Sequence, residues 1–155
     1  MQRTVFGTML ASALAVLTLA VAATAATGST VTISTGKVAG LGTVLVDSKG
    51  RTLYMFVPDK QKKVTCVKSC AVAWPPVKLA NGQKAVAAKG AKQSLLGSDA
   101  NPSGGRVVTY AKWPLYTYVA DQKAGQATGQ AIDANGGLWY ALTPSGKVIK
   151  TKLKG

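Results

Sequence analysis

The sequence contains one aromatic strand written twice. Leu53-Tyr54-Met55-Phe56-Val57-Pro58-Asp59 recurs 62 residues later as Leu115-Tyr116-Thr117-Tyr118-Val119-Ala120-Asp121. Each copy is preceded by an apolar run, Val44 to Val46 or Val107 to Thr109, and followed by basic residues, Lys60 and Lys62 or Lys123. A tryptophan then follows each aspartate, Trp74 after 15 residues and Trp139 after 18. Two copies are too few for an open solenoid, whose units need several stacked neighbours. The expectation is a pseudo-twofold molecule with repeats over about residues 43–76 and 105–142, each giving one aromatic strand to a shared core.

The pattern within the repeated strand limits where it can lie. Side chains alternate across a strand, so Leu53, Met55 and Val57 face one way and Tyr54 and Phe56 the other, and neither face is polar. Such a strand belongs between two packed layers or in a covered barrel wall. The rest of the chain reads as β structure as well. Two hairpins are expected, one turning at Asp47-Ser48-Lys49-Gly50 and one at Thr143-Pro144-Ser145-Gly146, with a third at Asn81-Gly82 between residues 77–80 and 83–87. Further strands are expected at 106–110 and 114–119. Helix is confined to a turn or two over 67–73, stopped by Pro75-Pro76, and another over 91–96. Residues 98–105 and 121–137, rich in Gly, Asn, Ser and Gln, read as loops. The fold class is therefore all-β with one or two short helical turns: a small barrel or two-layer sheet built from two pseudo-symmetric repeats, in a single β domain over residues 40–155.

The N-terminus reads as a targeting segment. Arg3 is followed by a Val, Leu and Ala-rich stretch from Val5 to Ala23 and a small-residue Ala23-Thr24-Ala25 site, the pattern of a secretory signal peptide over residues 1–25. Residues 26–39 are then expected to be a flexible lead-in. No cysteine occurs before Cys66, so no covalent lipid anchor is expected at a processed N-terminus. Export in turn makes a Cys66–Cys70 disulfide the expected state of the two thiols. A redox role fits the pair less well, because three residues separate the cysteines where the usual oxidoreductase motif has two.

Composition narrows the chemistry. The chain has no His and no Glu, and its five acidic residues are all Asp. Zinc sites, with their four nitrogen or sulfur ligands, cannot be assembled from two thiols, and covalent haem attachment lacks its His. No metal or cofactor is therefore expected. The charge of +14 comes from 19 Lys and Arg, with lysine far in excess. Scarce arginine means little bidentate recognition of phosphate or bases, so an anionic envelope polymer or a membrane surface is the expected partner and specific nucleic-acid binding is not. Lys147, Lys150, Lys152 and Lys154 form a basic tail, and the last three alternate with Ile149, Thr151 and Leu153, which puts them on one side if the tail is extended.

With these residues in view, the chain resembles a bacterial family of secreted repeats and predicted lipoproteins of unknown function, marked by a Tyr-x-(Phe/Trp/Tyr)-x-x-Asp motif. The motif occurs twice, as Tyr54, Phe56, Asp59 and as Tyr116, Tyr118, Asp121. Also similar are the Cys66-x-x-x-Cys70-Ala71-x-x-Trp74-Pro75-Pro76 run, the Pro114-Leu115-Tyr116 entry and the closing Gly137-Leu138-Trp139-Tyr140. The chain departs from the family in lacking a lipidation cysteine and in having Pro102 to Arg106 where an Arg-x-Asp-Gly run is expected. The resemblance implies export and implies no particular activity.

The motif itself admits two readings. In one, the aromatics fill the core while Asp59 and Asp121 end their strands and accept backbone N–H bonds in the following turn, with Trp74 and Trp139 as structural aromatics. In the other, the pseudo-twofold brings the two carboxylates to one site for general acid and base chemistry on a glycan or other envelope polymer. The expected function is a secreted or periplasmic, non-enzymatic binding or structural module of the cell envelope, with the carboxylate-pair hydrolase as the alternative.

Overall fold

The computed structural model describes residues 30–61 and 63–154; the targeting segment lies outside them. The strands are β1 (Val31–Val38), β2 (Gly42–Val46), β3 (Tyr54–Phe56), β4 (Lys78–Leu79), β5 (Ala85–Ala87), β6 (Leu96–Ala100), β7 (Arg106–Tyr110), β8 (Trp113–Pro114), β9 (Asp133–Ala134) and β10 (Gly137–Ala141). One short helix, α1 (Ser69–Ala73), and two 3-10 turns, Val57–Asp59 and Gln93–Leu95, complete the set. The strands form open sheets in the orders β2-β1-β5, β3-β10-β9 and β4-β7-β6, with β8 paired to β7. This is the two-layer form of the expected architecture and not a closed barrel.

The two halves repeat each other in their main strand pair and in the meeting of their motif strands. Antiparallel β1–β2 in the first corresponds to antiparallel β6–β7 in the second. They meet at Tyr54 and Tyr116, whose backbones exchange both hydrogen bonds, Tyr54 N–H to Tyr116 O at 2.8 Å and Tyr116 N–H to Tyr54 O at 3.0 Å. The pseudo-twofold axis therefore passes between these residues. Around it β10 pairs with β3, Trp139 opposite Phe56. In the other half Thr117 and Val119 donate to Pro75 O and Ala73 O, setting residues 73–77 beside 115–119.

Both faces of the repeated strand are buried, as its lack of a polar face requires. Tyr54, Phe56 and Tyr116 join one core cluster with Trp74 and Trp139, whereas Leu53, Met55 and Leu115 join a second with Ile33, Leu45, Val108, Tyr110 and Leu142. Val57 and Val119 leave this arrangement and are 41% and 48% exposed. Pro58 follows Val57 into the 3-10 turn, so the strand ends one residue earlier than its hydrophobicity suggests.

Several expectations need correction. The Asp47 and Thr143 turns close hairpins, with Gly50 and Gly146 at φ +78° and +80°. The Asn81-Gly82 turn forms, with Gln83 N–H bonded to Ala80 O, but no hairpin results: β4 pairs with β7 and β5 runs parallel to β1. Val31–Val38, placed by sequence in a flexible lead-in, is β1, held on both edges by β2 and β5. Residues 96–100, partly read as loop, are β6; they lack a strict apolar alternation but complete a five-residue register with β7. Residues 121–136 are loop except for β9, Gly137 already belongs to β10, and the helix expected over 91–96 is a single 3-10 turn. The strand expected over 114–119 is reduced to Pro114 in β8 and isolated bridges at Tyr116.

Candidate functional site

The motif residues converge at the pseudo-twofold axis, but the two aspartates do not share a site. Each lies just beyond its strand, and its carboxylate is claimed by the tyrosine of the opposite repeat. The Tyr54 hydroxyl donates to Asp121 Oδ2 at 2.5 Å, and the Tyr116 hydroxyl to Asp59 Oδ2 at 2.7 Å. The remaining oxygens are filled in matching fashion. Asp59 Oδ1 accepts from Thr65 N–H at 2.8 Å and from its hydroxyl at 2.6 Å, and Asp121 Oδ1 accepts from Thr128 N–H and hydroxyl at the same distances. Each phenol oxygen also accepts a backbone N–H, Gly129 for Tyr54 at 3.3 Å and Cys66 for Tyr116. Asp59 and Asp121 are 0% and 1% exposed.

Burial dominates the electrostatics of these pairs. It pushes the Tyr54 and Tyr116 phenols far above their ordinary range, and the neighbouring carboxylates push them further, because an ionised phenolate would face a like charge. Burial also raises the Asp59 carboxyl, opposed by the hydrogen bonds it accepts from Thr65 and Tyr116. The phenols thus stay protonated and act as donors throughout the ordinary pH range.

The aromatics form a second crossed arrangement. Trp74 and Trp139 stack face to face, 3.9 Å between centroids and 3° between planes. Tyr118 stacks on the outer face of Trp74 and Phe56 on that of Trp139, each at 4.1 Å, giving the order Tyr118, Trp74, Trp139, Phe56. Tyr54 and Tyr116 meet Trp74 and Trp139 edge-on at 5.4 and 5.2 Å. Trp74 and Trp139 therefore each stack on the motif aromatic of the other repeat and touch their own tyrosine by the edge, geometries in which ring edges meet ring faces or offset rings overlap. The six-ring cluster is buried apart from Tyr118, which is half-buried.

The disulfide Cys66–Cys70 ties the segment carrying Thr65 to α1, which leads into Trp74. In the second repeat Gly129 occupies the place of Cys66, and there is no room for more: a Cβ on Gly129 would lie 2.6 Å from Trp74 Cη2. Of the basic residues singled out, Lys147, Lys150, Lys152 and Lys154 are all exposed. The cleft of about 210 Å³ beside β5 and β6 is lined by Leu79, Gln83, Lys84, Ala85, Gln93 and Leu96, and by neither motif aspartate. Among the described residues no group of three or more His, Cys, Asp or Glu is placed to hold a metal ion.

Sequence reasoning missed Thr65, Thr128 and Gln130. The threonines stand six and seven residues beyond their aspartates, so a longer alignment of the two copies would have exposed them. Gln130 is buried and bonds to Ala141 N–H, Ile149 O and Thr151 O, fixing β10 and the C-terminal tail together; no repeat partner signals it.

A family model described as a secreted repeat of unknown function matches the chain twice, over residues 34–78 and 98–143. The chain belongs to this family. No curated protein and no solved structure matches it. The secreted-repeat units begin within β1 and β6, the two strands that the aromatic motif alone did not reveal. In this chain one such unit is a β1–β2 or β6–β7 pair, a motif segment and a tryptophan segment, and each unit is completed by the other's tyrosine.

Proposed function

We propose that this secreted repeat protein is a non-enzymatic module of the cell envelope, delivered by a cleaved signal peptide, that adheres through lysine charge to anionic polymers or surfaces. The observation that carries this reading is the separation of charge by depth. Every described lysine is exposed, whereas Asp59 and Asp121 are buried and Asp47 is bound to Arg51 at 2.6 Å. Carboxylates consumed inside the fold cannot offset the lysines outside it, so the surface is more positive than the composition implies. The two arginines beyond the signal segment are engaged as well, Arg51 with Asp47 and Arg106 with Ser98, which leaves lysine point charges as the means of attraction.

The hydrolase alternative requires carboxylates that reach substrate. Burial of both aspartates, with both oxygens of each already accepting hydrogen bonds, weighs against it. The discriminating experiment is retention of the protein on an anionic matrix as salt is raised. Retention that collapses between about 0.05 and 0.5 M salt is expected, since screening shortens to a few ångströms over that range; retention indifferent to salt would refute the reading.

A further inference from the structure

The C-terminal tail is built as a rigid row of cations. Ile149 and Leu153 pack against the aromatic core cluster, and a Cβ on Gly40 would lie 2.8 Å from Leu153 Cδ2. Between them the carbonyls of Ile149 and Thr151 both accept from the Gln130 side-chain amide, at 2.6 and 2.8 Å. Two carbonyl oxygens held by one nitrogen lie closer together than the ~6.7 Å between alternate residues of an extended strand, so the backbone bows around Gln130. Ile149 and Leu153 turn to the core, and Lys150, Lys152 and Lys154 are all exposed along the bowed segment. The same end of the fold carries Lys37, Lys49 and Lys123: Gly125 lies against the Lys37 carbonyl, and Ala124 lies against Gly50 beside Lys49.

The geometry points to this tail as the docking row for a linear polyanion of the envelope, a phosphodiester-linked polymer whose single charges suit lysine point charges and whose flexible chain can follow a bowed row. The inference rests on the adhesive function proposed above and assigns it a place and a ligand form. A row of cations matches a chain of charges. A bilayer surface is matched less well, because both apolar side chains of the tail are turned into the core and none is left to enter the lipid. Anchoring by Gln130 and by Leu153 fixes the row before the ligand arrives, which lowers the ordering cost of binding.

The test uses the secreted chain and a poly(glycerol phosphate) of defined length, with phosphatidylglycerol vesicles as a second arm. The triple variant Lys150→Ala, Lys152→Ala, Lys154→Ala is compared with Lys78→Ala, Lys84→Ala, Lys92→Ala, which removes equal charge from the part of the surface around β4, β5 and the 3-10 turn. The tail variant should keep its melting temperature, lose about tenfold or more in polymer affinity at low salt, and show a shallower dependence of log Kd on log salt; the control variant should change little. Equal weakening in both variants would overturn the tail assignment while leaving the adhesive function standing. Absence of polymer binding by the unmodified protein would overturn both. Vesicle binding as tight as polymer binding, and lost with the same three lysines, would overturn the choice of a linear polymer.

Discussion

Replacing Tyr116 by Phe removes one oxygen atom from the centre of the fold and keeps the ring. The edge contact with Trp139 survives, so packing changes little. What is lost is the hydrogen bond to Asp59 Oδ2, in a place where neither residue has any exposure to water. Hydrogen bonds to charged groups contribute about 1.5–3 kcal/mol, and a buried acceptor left unpaired costs at the upper end of that range. The Cys66 backbone N–H loses its acceptor in the same step. The expected destabilisation is about 3 kcal/mol, a large share of the roughly 5–15 kcal/mol that holds a domain folded. Equilibrium urea unfolding measures it as a fall in the midpoint at constant slope. Tyr54→Phe should do nearly the same through Asp121, because its partners are the same in kind. A loss below about 1 kcal/mol in both variants would refute the claim that the crossed phenol–carboxylate bonds hold the halves together.

The same phenols predict an alkaline limit. Both are raised in the folded state, so above pH 10 the unfolded chain releases two protons that the folded chain retains, and stability falls by about 2.7 kcal/mol per pH unit. Urea midpoints measured from pH 9 to 11.5 should show that fall, about half as steep in Tyr54→Phe, and a flat profile would contradict it. Gly129→Ala drives a methyl group against Trp74 and Tyr118 and should cost about 1–3 kcal/mol together with altered near-ultraviolet circular dichroism from the tryptophan stack; an unchanged spectrum would mean that the stack yields freely. Replacing Cys66 and Cys70 together by Ser opens a loop so short that the expected loss is only about 2 kcal/mol, visible in urea unfolding, with the fold retained.

Much of the centre was legible because it is written twice. The alternation of Leu53 and Met55 with Tyr54 and Phe56 requires two covering layers, and two core clusters supply them. The aspartates were legible only in part. An aspartate that ends a strand suggests a local turn, and each does accept a backbone N–H, but from threonines six and seven residues on, while its second oxygen turns to the other repeat. Local spacing carries no information about such a crossing. Strand β6 was obscured for a different reason. It alternates weakly and contains Gly97 and Ser98, and tertiary pairing with β7, not intrinsic pattern, makes it a strand; β5 was legible as a strand, but its parallel partner β1 was not. The tail was legible in part. Its lysines are exposed while Ile149 and Leu153 turn to the core, but an extended course could not be read from the alternation, because Gln130, far off in sequence, draws two of its carbonyls to one nitrogen.

Exchange of partners between the two tyrosine–aspartate pairs also constrains how such a molecule can change over generations. A substitution at Tyr54 is felt first by Asp121, at the far side of the intervening chain, so neither copy can drift alone without stranding a carboxylate in its sibling. Once fused in this way, a duplicated unit cannot readily be shed: deleting either copy removes the donor the survivor depends on, and a lone unit regains one only by pairing with a second lone unit.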